Sequence, residues 1–358
     1  MRITPQSLLT AVAVLALPAT LLGQNDLVKY FPAGQTNAGV LVENYVRPMI
    51  EDWGAAMNSG WYTSGRVHKK AGFDISFQSN SVFYKEDRQY YSFPSGLSGL
   101  THLGPVGEPG IPTAYGPENL YPEFGITSGG NAGVSFYGPE GLEPGSDVSM
   151  NVNFVPTLQA GIGLVKGTDL RVRFTPNLFS FSDADLTNWG VGVMHDIKQH
   201  IPGLEKVPVV DLAVFVGYTK LNSEVDLSGE YAGSNQVGDL SSSGITAQVI
   251  GGVTLAKVLS AYISLGYAQW KSDFDVMGDY FVDRTGFGPP GGGGPFPGGV
   301  PLPAPFTLTD PYSYSFEGSG LRMSAGARLK LGPFFLNGEY ALAEPSDVIT
   351  FGLGFTFK

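Results

Sequence analysis

The chain has no cysteine, few charges and no long apolar run beyond its first two dozen residues. With no cysteine it has no disulfide framework, on which small secreted domains often depend. Charged residues are 15% of the sequence, against roughly 25% in an ordinary soluble domain. The net charge of −11 argues against nucleic acid as a partner. Past the start, no segment offers the ~20 consecutive apolar residues of a membrane helix. Glycine (50 residues) and aromatic side chains (12%) are abundant instead.

The start has the layout of a secretory signal peptide over residues 1–23. Arg2 gives a positive start, Leu8 to Leu17 an apolar core, and cleavage is expected after Gly23. An exported chain without a spanning helix is either soluble or a β-barrel, and the C-terminus points to the second. Ile349, Phe351, Leu353, Phe355 and Phe357 alternate with Thr350, Gly352, Gly354 and Thr356. Side chains alternate across a strand, so one face of this segment is continuously apolar. Its length suits a tilted membrane strand of about 9–11 residues.

Period-two segments recur from residue 155 onward. In Leu321 to Leu331, Arg322, Arg328 and Lys330 share the face opposite Leu321, Met323, Ala325, Ala327 and Leu329. A Lys or Arg on the lipid side at mid-depth costs ~2–4 kcal/mol, a large part of a ~5–15 kcal/mol stability. The charged face must therefore look inward. Arg171 and Arg173 also share one face. These five basic residues are expected to line a lumen, where they pair with acids such as Asp211 and Glu339 or attract an anionic headgroup or carboxylate. Connections alternate between short and long, as periplasmic turns and outer loops do. The expected fold is all-β, a transmembrane antiparallel barrel of fourteen strands, with twelve as the alternative. It spans residues 67–358 and has long loops at about 94–144 and 275–312. Nine strands fall after residue 155, and the rest are sought between 71 and 153. Within the first long loop, Leu97, Leu100, Leu103, Val106, Ile111 and Tyr115 are too apolar for a free loop and should fold back onto the barrel mouth.

Before the barrel, residues 24–66 form a helical hatch or cap. Apolar residues recur at three and four from Asn37 to Trp53, and Pro48 predicts a kink or a split into two helices. Tyr45, Met49, Ile50 and Trp53 are the candidate ligand or hatch residues. Trp189, Tyr218, Tyr267, Trp270 and Tyr340 read as aromatics at the wet–apolar boundary. No nucleotide loop or catalytic elbow stands out. His195 and His200 read as histidines of the interfacial rim rather than a metal site or half of a hydrolase pair. The expectation is no enzyme, no cofactor and no metal.

The Trp189-Gly190-Val191-Gly192-Val193-Met194-His195-Asp196-Ile197 stretch, Pro202-Gly203 and Asp211 to Lys220 resemble outer-membrane proteins of Bacteroidetes that look like the long-chain fatty-acid (FadL-type) transporter barrels. The likeness runs from about Tyr30 to the C-terminus, although the Asn-Pro-Ala start of the transporter hatch is missing. It implies a cell-outer-membrane barrel with an N-terminal hatch that passes small hydrophobic molecules. The alternative is an anchoring barrel that binds secreted or surface proteins through its outer loops. The partners expected are outer-membrane lipid, a small hydrophobic ligand and a secreted or surface protein.

Overall fold

A computed structural model describes residues 26–104, 110–128, 131–144, 152–175, 184–229, 231–282 and 304–357. The expected signal peptide lies outside the described residues, as do Val106 and the Gly/Pro run from Gly286 to residue 303. Ten antiparallel strands close on themselves. They are β1 (Phe73–Phe83), β2 (Val152–Gly163), β3 (Thr168–Thr175), β4 (Ala184–Asp196) and β5 (Val210–Asp226). There follow β6 (Ala232–Leu255), β7 (Leu259–Val282), β8 (Tyr312–Leu331), β9 (Phe334–Leu342) and β10 (Val348–Phe357). The seam is β1 against β10, from Phe73↔Phe357 to Val82↔Val348. Phe306–Thr309 pairs outside this ring with the far end of β7.

Ten strands correct the expected fourteen or twelve. The nine expected after residue 155 are all in the wall. The extra ones are excluded because β1 and β2 pair directly along their length, from Phe73↔Ile162 to Phe83↔Val152. Nothing between them in sequence can be inserted into that ladder. The described residues between 84 and 144 instead build two small sheets of their own. One joins Tyr90–Tyr91 to Ile111–Pro112, and the other joins Leu100–Gly104, Glu123–Ser128 and Asn131–Tyr137.

The wall is uneven. β9 and β10 have nine and ten residues, while β6 and β7 have 24 each. The tight turns at 256–258 and 332–333 lie at the end that carries Phe73 and Phe357, so this end is periplasmic. The tall strands rise from the opposite, outer end. Side-chain polarity inverts partway up them. Nearer the periplasm, outward residues such as Val249, Ile263, Leu265, Met323 and Phe351 are apolar and exposed. Outward Trp189, Tyr218, Tyr267 and Tyr340 mark the end of this band, and above them the outward positions become Glu224, Asp239, Asp273, Asp275 and Glu317. Inside, the order is reversed: Arg171, Arg173, Arg322 and Glu339 are buried in the lower barrel, and Leu221, Leu240, Phe274, Val276 and Phe316 in the upper part. The lower barrel is built to face hydrocarbon, and the upper barrel to face water around an apolar core.

Trp270 does not belong to the aromatic ring. It lies three residues from Tyr267, so strand parity turns it inward, where it is buried.

Candidate functional site

The lumen is occupied by the chain itself. A 3-10 helix, Asp26–Ala33, leads into α1, Gln35–Ala56. Phe31 contacts Tyr231, Tyr280 and Tyr312 at the outer end of the tall strands, with ring centroids 5.9, 4.9 and 5.6 Å away. Residue 26 is thus on the outer side, and α1 sits within the upper apolar core. α1 runs as one helix through Pro48 rather than as two. The neighbouring carbonyls find partners in the mouth segment: Ala114 N–H donates to Tyr45 O at 2.9 Å, and Arg88 Nη2 to Pro48 O at 2.8 Å. These bonds tie the helix to the segment over the barrel mouth on both sides of the proline.

Tyr45, Met49, Ile50 and Trp53 are each at most 3% exposed, packed in one cluster with Leu100, Ile111, Tyr115 and Phe274. They are packed against their neighbours with almost no free surface, so in this conformation they line no cavity large enough for a ligand. Of the mouth-segment residues expected to fold back, Leu100, Ile111 and Tyr115 are in this core, whereas Leu103 is exposed. Asp52 is also buried there, 3.2 Å from Arg88. Burial pushes its carboxyl up to about 6, against the opposing pull of Arg88.

At Gly54 the helix comes against the wall. A Cβ added there would lie 2.2 Å from Cδ2 of Trp270, whose indole also abuts Gly318. Gly54→Ala is expected to displace α1 and cost about 1–3 kcal/mol through overpacking. Urea titration of the refolded barrel reads this out, and Trp270→Leu in the same chain should recover part of the loss.

Beyond α1 the chain descends through the lower barrel from Met57 to Val67, and the inward arginines hold it. Arg173 donates to Ser59 O at 2.8 Å and also to Met57 O and Thr219 Oγ1. Its guanidinium lies 3.8 Å from the Trp61 ring centroid. Arg171 donates to Trp61 O (3.2 Å), Arg322 to Ser59 Oγ (2.6 Å) and Arg328 to Thr63 Oγ1 (3.1 Å). Gln159 donates to the same Trp61 carbonyl, and Tyr262 to Tyr62 O. An extended segment has no ladder of its own, so its buried carbonyls need such donors. Gly60 takes φ +71° here, with room for no Cβ beside Asn80. Trp61 and Tyr62 fill the remaining space against Phe215 and Tyr262.

The expected basic set is therefore found inside, but four of its members bind the descending segment. Lys330 lies apart, half-buried at the periplasmic mouth. The acids expected as partners divide: Glu339 is 3.9 Å from Arg322, whereas Asp211 pairs with Arg66 of the descending segment at 2.9 Å. Sequence reasoning missed His68. Its two ring nitrogens contact Asp169 (2.8 Å) and Asp74 (3.2 Å), which ties the foot of the segment to β3 and β1. Burial alone would lower its pKa, but the two carboxylates outweigh that and hold it above the ordinary value. His195 and His200 face one another on the periplasmic rim, Nε2 to Nε2 at 3.1 Å. Among the described residues no group of three or more metal-ligating side chains is present.

Comparison with known proteins adds a family and weak structural likenesses. Residues 1–357 match the family described as a family of unknown function, DUF6588. No curated protein matches. The NalP autotransporter translocator domain of Neisseria meningitidis is 11% identical over 81% of this chain and 90% of its own, with a TM-score of 0.30. Ail, the attachment invasion locus protein of Yersinia pestis, is 11% identical over 81% and 100%, at 0.25. The toluene transporter TbuX of Ralstonia pickettii is 8% identical over 85% and 93%, at 0.23. Values this low carry no argument about function.

Proposed function

The chain belongs to the DUF6588 family, and we propose that it is a non-conducting barrel of the bacterial outer membrane. Its working part is the tall outer rim and mouth segment, presented to a secreted or surface partner. The observation that carries this is the set of guanidinium bonds from Arg171 and Arg173 to the carbonyls of Met57, Ser59 and Trp61. A gate that opens readily would not leave several buried carbonyls to be stripped of donors, at about 1–3 kcal/mol each. The inverted polarity of the upper barrel supports the rest. It gives the rim an apolar core of its own and a water-facing exterior, which a pore does not need.

Passive passage of small hydrophobic molecules is the rival reading. It requires Tyr45, Met49, Ile50 and Trp53 to open a cavity by moving apart. Planar-bilayer recording and a liposome uptake assay with an aromatic hydrocarbon separate the two. The expected result is no conductance steps and uptake no faster than from empty liposomes. Sustained uptake by the wild-type barrel would sink the proposal in favour of transport.

A further inference from the structure

The wall is open on one side above β9. β8 pairs with β7 from Leu329 up to Tyr312, but with β9 only from Leu331 to Met323. The upper half of β8 is therefore a free edge. Parity fixes which backbone groups point out of it. Lys330 N–H donates to Val258 O at 2.7 Å, at the foot of β7, so even-numbered residues of β8 bond to β7 and odd-numbered ones face the other side. Ala343 and Glu344 come alongside Gly320 and Leu321. Above them, the N–H and C=O groups of Ser313, Ser315, Glu317 and Ser319 have no hydrogen-bond partner among the described residues. All four residues are exposed. Leu321 lies opposite Tyr267, at the end of the apolar band, so this edge stands in water and not in lipid. Natural edges are commonly blunted by proline, lysine or a bulge. Between Ser313 and Ser319 there is no proline and no lysine, and the register with β7 is unbroken. α1 forms a floor beside the edge. Tyr314 Oη donates to Gly39 O at 2.8 Å, and the Arg47 guanidinium lies 5.0 Å from the Phe316 ring centroid. The mouth segment holds the other flank of α1, where Asn37 Nδ2 donates to Ser98 O at 2.9 Å. Between the two flanks Val40, Asn44 and Arg47 are half-buried or exposed.

We propose that this edge takes up an extended segment of a secreted or surface protein as an added strand. The proposal rests on reading the rim as a partner surface, and it names how that partner is held. A line of unpaired N–H and C=O groups is matched by another extended backbone, while alternate side chains give specificity. Glu317 forms no ion pair among the described residues, because Lys271 opposite it pairs with Asp273 at 3.2 Å. The added strand should therefore set a Lys or Arg beside Glu317. A second copy of the chain is a poor occupant. Two barrels in one membrane stand the same way up, and a two-fold axis between their edges would bring Glu317 onto Glu317, where like charges repel. The chain's own Gly/Pro run is a poor occupant too, since Pro289, Pro290, Pro295 and Pro297 cannot donate to a ladder.

The test selects random phage-displayed peptides of about nine residues, long enough to run beside the edge at ~3.3 Å per residue, on the whole mature barrel in nanodiscs. Enriched peptides should carry Lys or Arg among alternating β-branched or aromatic residues and, once synthesised, bind saturably. N-methylation of the peptide amides that face the edge should weaken binding by about tenfold or more. Ser315→Pro should do the same, since it removes an edge N–H and no bond to β7, whereas Ser315→Ala keeps the N–H and should bind as wild type does. The heat-modifiable gel shift reports that both variants fold. Glu317→Lys should reverse the preference, towards the same peptide with Glu in place of its basic residue. Peptides that bind Ser315→Pro as tightly as wild type would overturn the edge while leaving the rim a partner surface elsewhere. An absence of enriched peptides would also overturn the edge. Conductance or hydrocarbon uptake by the wild-type barrel would instead overturn the reading of the rim, and strand addition would still be decided by the peptides.

Discussion

Arg173→Ala is expected to weaken the folded barrel by about 4 kcal/mol and to expose Met57 to Val67 to protease. The side chain is 2% exposed, donates to two carbonyls of the descending segment and stacks on Trp61. Ser59 O, left without its donor, costs about 1–3 kcal/mol, while Met57 O keeps the Thr219 hydroxyl at 3.2 Å; the lost desolvated cation–π contact adds about 2. The variant recovers the cost of burying a guanidinium, which offsets part of the loss, so the middle of the range is the better expectation. Arg173→Lys should fall between, because an ammonium keeps the charge but cannot reach both carbonyls and stack. Urea unfolding in liposomes gives the first number, and limited proteolysis followed by mass mapping gives the second. An unchanged midpoint together with an uncleaved segment would show that the arginines do not hold the occupant in place.

Asp52→Asn should stabilise the protein at pH 7.5, contrary to what its 3.2 Å approach to Arg88 would suggest. In the native state the carboxyl is raised to about 6, from an ordinary 3.8, mainly by burial. Below about pH 4 the group is protonated in both native and unfolded chains and has no effect. Between about 4 and 6 the unfolded chain ionises while the native one does not, so stability falls as pH rises. Above 6 the loss is complete, at about 3 kcal/mol for a shift of roughly two units. Arg88 cannot cancel this, because the same Nη2 also serves Pro48 O and Glu51. The amide removes the penalty and keeps the shape. The gain should therefore appear at pH 7.5 and vanish at pH 4 in matched urea titrations. A less stable variant at pH 7.5 would mean that the ion pair outweighs desolvation.

The wall of the barrel was legible because strand alternation is a local signal with a large energetic consequence. Arg322 and Arg328 could not face lipid, so one segment fixed the inside of the barrel. Trp270 was legible by the same parity, since its distance from Tyr267 is odd; composition drew it into the aromatic ring, and its partner is Gly54, over two hundred residues earlier. The strand count failed where alternation was present in a ladder outside the barrel wall. Asn131–Tyr137 has the pattern, but β1 and β2 are already paired with each other. The inward arginines could be placed but their partners could not. Backbone carbonyls carry no sequence signature, so nothing in Met57 to Val67 announces that four guanidiniums surround it. Pro48 predicted a kink or a split into two helices, and α1 is not split; Arg88 and Ala114, distant in sequence, hold it on either side of the proline.

Residue 26 lies at the outer end, and the first strand begins only at Phe73, on the periplasmic side. A helix of 22 residues is about 33 Å long and, with side chains, about 10–12 Å across. Once β1 has zipped to β10, α1 would have to unfold and be drawn through a tube already crowded by tryptophan and arginine. The order of assembly is therefore dictated: the leading segment crosses first, and the curved sheet wraps around it. The ring of strands can close only around an occupant already in place.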